Sequence, residues 1–279
     1  MRDLHRLFSP RTVAVIGGGV WGRSVIKQCQ KLGFEGILNV VHPKAETVAG
    51  VTAYRSVVDL PVVPDAAFIA VNRDATINIV SQLSKRGAGG AVCFASGFRE
   101  VDEENAEGAA LQEALINAAG DMPIIGPNCY GFVNYLDRFC LWPDQHGGRP
   151  VEQGVAIVTQ SSNIMINLTM QQRGLPIAFA LTAGNQAQTS LADLGRAVLD
   201  DPRVTALGLH IEGIGELADF EDLARYASAC KKGIVALKVG RSAQARQATI
   251  SHTASLTGSN ASADALLSRL GIARVDGLT

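Results

Sequence analysis

The sequence predicts an α/β protein made of two successive parallel-sheet domains, and three observations carry that expectation. Short β-branched runs alternate with stretches of helical apolar spacing along most of the 279 residues. The alternation breaks once, near residue 135, and restarts near 153. Hydrophobic residues make up 47% of the chain but aromatics only 5%, which fits sheet cores of Val, Ile, Leu and Ala buried on both faces. The length suits two domains of about 100–150 residues each.

Residues 13–16 read as the first strand, followed by a glycine turn and a helix to about residue 32. Residues 36–41 form a second strand, closed by His42-Pro43-Lys44. A third strand spans 66–71 with its helix at 76–85, and a fourth spans 90–95. Residues 103–119 are helical in pattern, and 123–126 make a short fifth strand. Such alternation implies right-handed βαβ units and a doubly wound sheet over residues 1–134. The irregular stretch 135–152 is expected to be a linker. In the second domain, 153–279, strands are expected at 155–158, 177–181, 206–211 and 233–238, with helices at 161–173, 191–199 and 220–229.

Composition excludes several classes of function. A net charge of −1 lacks the basic footprint of a nucleic-acid binder or a polybasic membrane anchor. No apolar stretch approaches the roughly 18–20 residues needed to span a bilayer, and residues 1–6 lack the apolar core of a signal peptide. The five cysteines (29, 93, 129, 140, 230) have no CxxC spacing, so neither a metal site nor a disulfide framework is expected. A reduced, cytoplasmic setting follows.

The residues that carry chemistry cluster where strands end. Gly17, Gly19 and Gly22 form a G-x-G-x-x-G turn between the first strand and its helix, the context in which backbone N–H groups approach a pyrophosphate. A tight turn with no ligand has the same pattern. About 20 residues on, where an NAD site wants an acid for the ribose diol, the chain has Lys44. A lysine suits a ribose phosphate, which leaves NADP or coenzyme A. Asn128 and Cys129 follow the fifth strand; a lone cysteine reads first as a small buried apolar residue. Ser161 and Ser162 open a helix, either as a plain N-cap or as an anion site backed by the helix dipole. Gly184 and Asn185 occupy the equivalent place after the next strand, so two helix ends can point at one phosphoryl group. His252 lies among small polar residues in a late loop, and Glu212, at the end of another strand, is the carboxylate suited to orient it.

Together these segments resemble the NDP-forming acyl-CoA synthetases, which include the succinyl-CoA synthetase α subunit and the ADP-forming acetyl-CoA synthetases. The matching stretches are residues 7–17 (LFSPRTVAVIG), Gly126-Pro127-Asn128-Cys129, Thr159-Gln160-Ser161, Ile211-Glu212-Gly213-Ile214 and Ser251-His252-Thr253. They occur in family order and cover nearly the whole chain. The resemblance implies a Rossmann-like CoA-binding domain followed by a flavodoxin-like parallel α/β ligase domain. It further implies that the Gly17–Gly22 turn and Lys44 hold CoA phosphates, and that Val71, Asn72, Ser96, Gly97, Asn128 and Cys129 line the cofactor groove. His252 would be phosphorylated in turnover and stabilised by Glu212, while the helices after Ser161-Ser162 and Gly184-Asn185 bind the phosphoryl group. A small carboxylic acid is the implied substrate and no resident metal is implied.

Three positions depart from the family pattern. Ser162 stands where glycine is common, Ala254 replaces a glycine after His-Thr, and Tyr130 replaces a smaller or aliphatic residue beside Cys129. None removes a reacting group. No ATP-grasp region is recognisable, so ATP and Mg²⁺ are expected to enter only through an ATP-grasp partner domain or β-type subunit, in an oligomer. Two rival readings differ in class. A CoA-binding regulatory module would keep its activity with His252→Ala, whereas a ligase would lose turnover. An NADP-dependent oxidoreductase would leave Ser161, Glu212 and His252 without a role.

Overall fold

The fold is that of a computed structural model, which describes residues 2–101, 107–239 and 260–278. After a single-turn helix α1 (His5–Phe8), strand β1 (Thr12–Ile16) enters the first sheet, and helix α2 (Val20–Leu32) packs Val25, Ile26, Cys29 and Leu32 beneath it. Gly33 ends α2 at φ +88°, the left-handed conformation that glycine reaches without a Cβ clash. Then come β2 (Ile37–Val41), β3 (Thr47–Val48), β4 (Val51–Tyr54), β5 (Ala66–Ile69), α3 (Arg73–Lys85), β6 (Ala91–Cys93), α4 (Gly108–Ala119) and β7 (Ile124–Ile125). Their order in the sheet is β3-β4-β2-β1-β5-β6-β7, parallel throughout except for the β3–β4 pair. The β3–β4 hairpin is absent from the sequence reading because its two- and four-residue strands are too short to show a period.

The second sheet draws on strands from both sides of the expected linker. Strands β8 (Phe132–Asn134) and β9 (Phe139–Leu141) form an antiparallel hairpin. After them come β10 (Gly154–Thr159), α5 (Ser162–Thr169), β11 (Ile177–Thr182), α6 (Leu191–Leu199), β12 (Val204–Ile211), α7 (Leu217–Ala229), β13 (Gly233–Lys238), α8 (Asn260–Arg269) and β14 (Ala273–Val275). The order is β14-β13-β12-β10-β11-β8-β9. Strand β8 pairs antiparallel with β11 and β9 with β8, so the stretch 135–152, expected to be a linker, supplies a strand, β9, in its first part. The physical reason is burial: Phe132, Val133, Tyr135, Phe139, Cys140, Leu141 and Trp142 are all fully buried. The turn between the two strands is fixed by Asn134, whose Oδ1 accepts the N–H groups of Leu136 (3.0 Å) and Asp137 (3.1 Å). Helix α8 and strand β14 also lie beyond the elements expected from the sequence.

One continuous cluster of buried apolar side chains runs through both halves. Phe8 meets Phe132 at 5.0 Å and Phe179 at 5.8 Å between ring centroids, and Phe34 meets Phe139 at 4.9 Å. At the edge of this seam Asp137 accepts from Ser9 Oγ (2.8 Å) and pairs with Arg203 (2.9 Å). The two sheets are therefore held as neighbours by a shared core, and that fixes their carboxyl edges around one crevice.

Candidate ligand crevice between the two sheets

Each sheet has one point where chain order reverses: β1 lies between β2 and β5, and β10 between β11 and β12. In open parallel sheets ligands bind just beyond the carboxyl ends of the strands at such points. Here both points open into the same cavity of about 880 Å³. Of the residues singled out in the sequence, Val71, Asn72, Ser96, Asn128, Cys129, Ser161, Ser162, Gly184, Asn185 and Glu212 all line it. Gly17, Gly19, Gly22, Lys44 and Gly97 do not, and His252 and Ala254 lie outside the described residues.

On the first sheet's side the glycine turn is shaped by close backbone approach. Gly17 has φ +104°, and a Cβ there would lie 2.6 Å from the Ala70 carbonyl oxygen. A Cβ on Gly22 would lie 2.3 Å from the Gly17 carbonyl oxygen. Both positions require glycine for packing whether or not a ligand is bound. Gly19, by contrast, is exposed with open space around it. At the end of β2 the ring of His42 packs against Gly18, where an added Cβ would sit 2.6 Å from its Cδ2. The His42 Nδ1 accepts the N–H groups of Lys44 (3.2 Å) and Ala45 (2.8 Å), which closes the turn and leaves Lys44 exposed.

Beyond β5, Asn72 caps α3 by accepting the Ala75 N–H (2.9 Å), which turns the helix start toward the cavity. Arg73, next in sequence, also lines it and donates from Nη1 to the Gly97 carbonyl (3.0 Å). Gly97 thus sits behind the wall and holds a wall residue. Trp21, Phe94 and Tyr130 make the aromatic part of the wall, with Trp21 5.2 Å from Phe94 and Phe94 5.8 Å from Tyr130. Trp21, Arg73 and Phe94 were missed in the sequence, although each is next to or within a segment that was noted. Only the strand ends bring them to one surface.

The floor is where the two halves interlock. Asn128 sits at φ +57°, its N–H bonded to Ala95 O (2.9 Å), and its Nδ2 donates to Asn185 Oδ1 (3.4 Å). Asn185 N–H donates in turn to Pro127 O (2.9 Å), and Ala187 N–H to Gly126 O (3.0 Å). Glu100 ties the segment after β6 to Asn185, accepting from Gly97 N–H at 2.6 Å and from Asn185 Nδ2. A Cβ on Gly184 would meet the Pro127 carbonyl at 2.3 Å, so glycine is needed for this contact. Cys129 is buried in the same floor. Burial pushes its thiol up to about 12, despite opposing hydrogen bonds from Gly131 and Thr182, so at neutral pH it is a protonated apolar group.

On the second sheet's side Ser161 caps α5, accepting the Ile164 N–H (3.4 Å), and Ser162 Oγ accepts the Tyr130 N–H (3.2 Å). Two of the positions that depart from the family pattern therefore touch each other across the seam. Glu212 follows β12 on a turn held by its neighbours. Lys238, almost fully buried, donates from Nζ to the carbonyls of Glu212 (2.8 Å) and Val239 (2.6 Å). Desolvation and nearby Arg274 push the Lys238 ammonium down, and Glu212 opposes them. Such an arrangement can bind an anion at the α5 start and hold a carboxylate beside it.

Among the described residues no group of three or more His, Cys, Asp or Glu is arranged to hold a metal ion. None of the described helices is long and apolar enough to cross a membrane.

A CoA binding domain model matches residues 11–135, and a succinyl-CoA ligase like flavodoxin domain model matches residues 152–279. Trans-feruloyl-CoA synthase FCS1, from an unidentified prokaryote, is 31% identical over 286 residues, covering 99% of this chain and 40% of that protein. The alpha subunit of ADP-forming acetate–CoA ligase II from Pyrococcus furiosus is 31% identical over 273 residues, covering 92% of this chain and 56% of that one. Among solved structures, the dinucleotide forming acetyl-coenzyme A synthetase 1 of Ca. Korarchaeum cryptofilum, in complex with phosphate and ADP, superposes with a TM-score of 0.87 at 29% identity. It is matched over all of this chain and 60% of its own length. The chain thus spans roughly half the length of the relatives it matches. With its tandem domains, their order and the crevice they share, this chain belongs to the NDP-forming acyl-CoA synthetase family.

Proposed function

We propose that this chain is the CoA-binding and phosphohistidine part of an NDP-forming acyl-CoA synthetase, which converts a carboxylate, CoA and ATP into acyl-CoA, ADP and phosphate. The observation that carries the reading is the shared cavity. Residues suited to a CoA groove (Val71, Asn72, Ser96, Asn128) and residues suited to a phosphoryl group (Ser161, Ser162, Gly184, Asn185, Glu212) line one space of about 880 Å³. That volume is within the range of a cofactor pocket. The functional division follows the sequence reading, with CoA bound by residues 1–134 and phosphoryl chemistry carried by residues 153–279.

In this reading Asn72, Ser96 and Asn128 bind the polar groups of CoA, and Val71 and Phe94 face its apolar arm. Arg73 offers a cation for a phosphate, and Lys44 a second one at the outer end. Neutral His252 accepts the phosphoryl group from ATP and passes it to the substrate carboxylate, forming an acyl phosphate. The CoA thiolate then attacks the acyl carbon and phosphate leaves. Glu212 offsets the charge on the histidine, and the N-terminal N–H groups of α5 and of the segment after Asn185 hold the phosphoryl oxygens. Cys129, protonated and buried, contributes packing only. ATP and Mg²⁺ enter through an ATP-grasp domain or β-type subunit, in a cytoplasmic oligomer. The acyl group is a small carboxylic acid; relatives named for feruloyl, 4-hydroxybutyrate and acetate substrates stand at 31%, 29% and 29% identity, too even to choose among them.

Calorimetric titration with CoA, and with NADPH in parallel, tests the binding half. Saturable CoA binding without NADPH binding is expected, and the reverse would overturn the reading. The chemical half is tested by His252→Ala in the complete synthetase, which should keep CoA binding and lose all turnover.

A further inference from the structure

Gln160 lines the cavity between the α5 start and the turn that carries Glu212, and among the described residues its side-chain hydrogen bonds go to that turn. Its Oε1 accepts two consecutive backbone N–H groups, that of Glu212 and that of Gly213 (2.9 Å). Its Nε2 donates to the Gly213 carbonyl at 3.0 Å. One planar amide thus takes up three backbone groups of two adjacent residues, which fixes the orientation of both peptides. Gln160 itself is held by its own N–H, which donates to the His210 carbonyl (3.3 Å), and by the cap residue Ser161 that follows it. From the opposite side Lys238 holds the Glu212 carbonyl (2.8 Å).

We infer that Gln160 is a positioning residue: it couples the anion-binding start of α5 to Glu212, so that the carboxylate is held at a fixed place relative to the phosphoryl group. This rests on the proposed roles of α5 and Glu212 and adds the group that sets their relative geometry. A side chain with the same reach but no amide, as in Gln160→Met, leaves both N–H groups and the Gly213 carbonyl to relax independently. Displacement of a reacting group by about 1 Å is enough to cost on the order of 100-fold in rate.

The test is a double-mutant cycle in the complete synthetase, ATP-grasp module included, reading the rate of histidine phosphorylation from ATP. Gln160→Met should lower that rate on the order of 100-fold with the CoA affinity, measured by calorimetry, unchanged. In a Glu212→Gln background the same change should cost less than about threefold, because residues acting as a unit are not additive. An equal loss in both backgrounds would overturn the positioning role while leaving the site reading intact. No effect of Glu212→Gln by itself would overturn both. If Gln160→Met does not fold, Gln160→Asn, whose amide is one methylene too short to take up all three backbone groups, serves in the same cycle with the same criteria.

Discussion

At the end of β1 the chain turns behind the crevice wall by omitting side chains, whereas at the end of β10 it lines the crevice by furnishing them. Gly17 and Gly22 are glycines because backbone carbonyls lie 2.6 Å and 2.3 Å from where their Cβ atoms would be. The equivalent turn after β10 carries Gln160, Ser161 and Ser162, each engaged in a hydrogen bond that fixes a neighbouring segment. The parallel strands of the two sheets differ in order, β4-β2-β1-β5-β6-β7 against β14-β13-β12-β10-β11, and the turn after the first parallel strand of each differs too: packed backbone in one, a polar constellation in the other. A backbone edge suits a ligand that must lie flat along it, while side chains suit a group whose charge changes during a reaction.

The largest effect that sharpens this contrast is pH-dependent. The second sheet's edge carries His210, buried and without a partner for Nδ1 among the described residues. Burial pushes its imidazole down to about 4, with a smaller push from Lys238 and an opposing backbone hydrogen bond. A histidine whose folded pKa is depressed stabilises the fold above its unfolded value, near 6.5, and that contribution is lost as pH falls to about 4. The amount is on the order of 3 kcal/mol. Denaturation curves from pH 7 to pH 4 should show this loss, and His210→Phe should flatten part of the slope. Equal slopes in the two proteins would contradict it. Asp65 and Asp137 act lower on the scale: burial alone would raise their carboxyls, but hydrogen bonds, from Arg11, Arg6 and Thr12 and from Arg203, Ser9 and Asn134 respectively, hold both below the ordinary range. Their share is present above that range and is lost only as pH falls through and below it.

A smaller effect separates glycines within the first edge. Gly22→Ala drives a methyl against a backbone carbonyl and should cost about 1–3 kcal/mol, whereas Gly19→Ala meets nothing within 4 Å at φ −69°. The unfolding free energy from thermal denaturation should fall for the first and stay within about 0.5 kcal/mol of unchanged for the second. If Gly19→Ala instead weakens CoA binding without changing stability, the glycine turn is a ligand surface as well as a packing device. The smallest effect is Ser161→Ala. It removes a cap whose hydrogen bond is long, at 3.4 Å, and should cost about 0.5–1 kcal/mol of stability. A loss of phosphate affinity beyond that amount would mark the hydroxyl as part of the anion site.

The α/β class and the longer parallel strands were legible in the sequence, because a buried parallel strand reads as an apolar run. Asn128, Cys129, Ser161, Ser162, Gly184, Asn185 and Glu212 stood out at strand ends, whereas Val71, Asn72 and Ser96 came from the family resemblance. Sequence periodicity could not determine where the short strands pair. The β8–β9 hairpin and the β3–β4 pair have two to four residues per strand, and their membership in a sheet depends on partners distant in the chain. It is the folded arrangement that brings Trp21, Arg73, Phe94 and Gln160 to one surface with the residues that were legible. Local patterns encode which face of an element is buried; the meeting of two sheet edges is set by the shared core around Phe8, Phe132 and Phe179, whose contacts span more than 120 residues of chain.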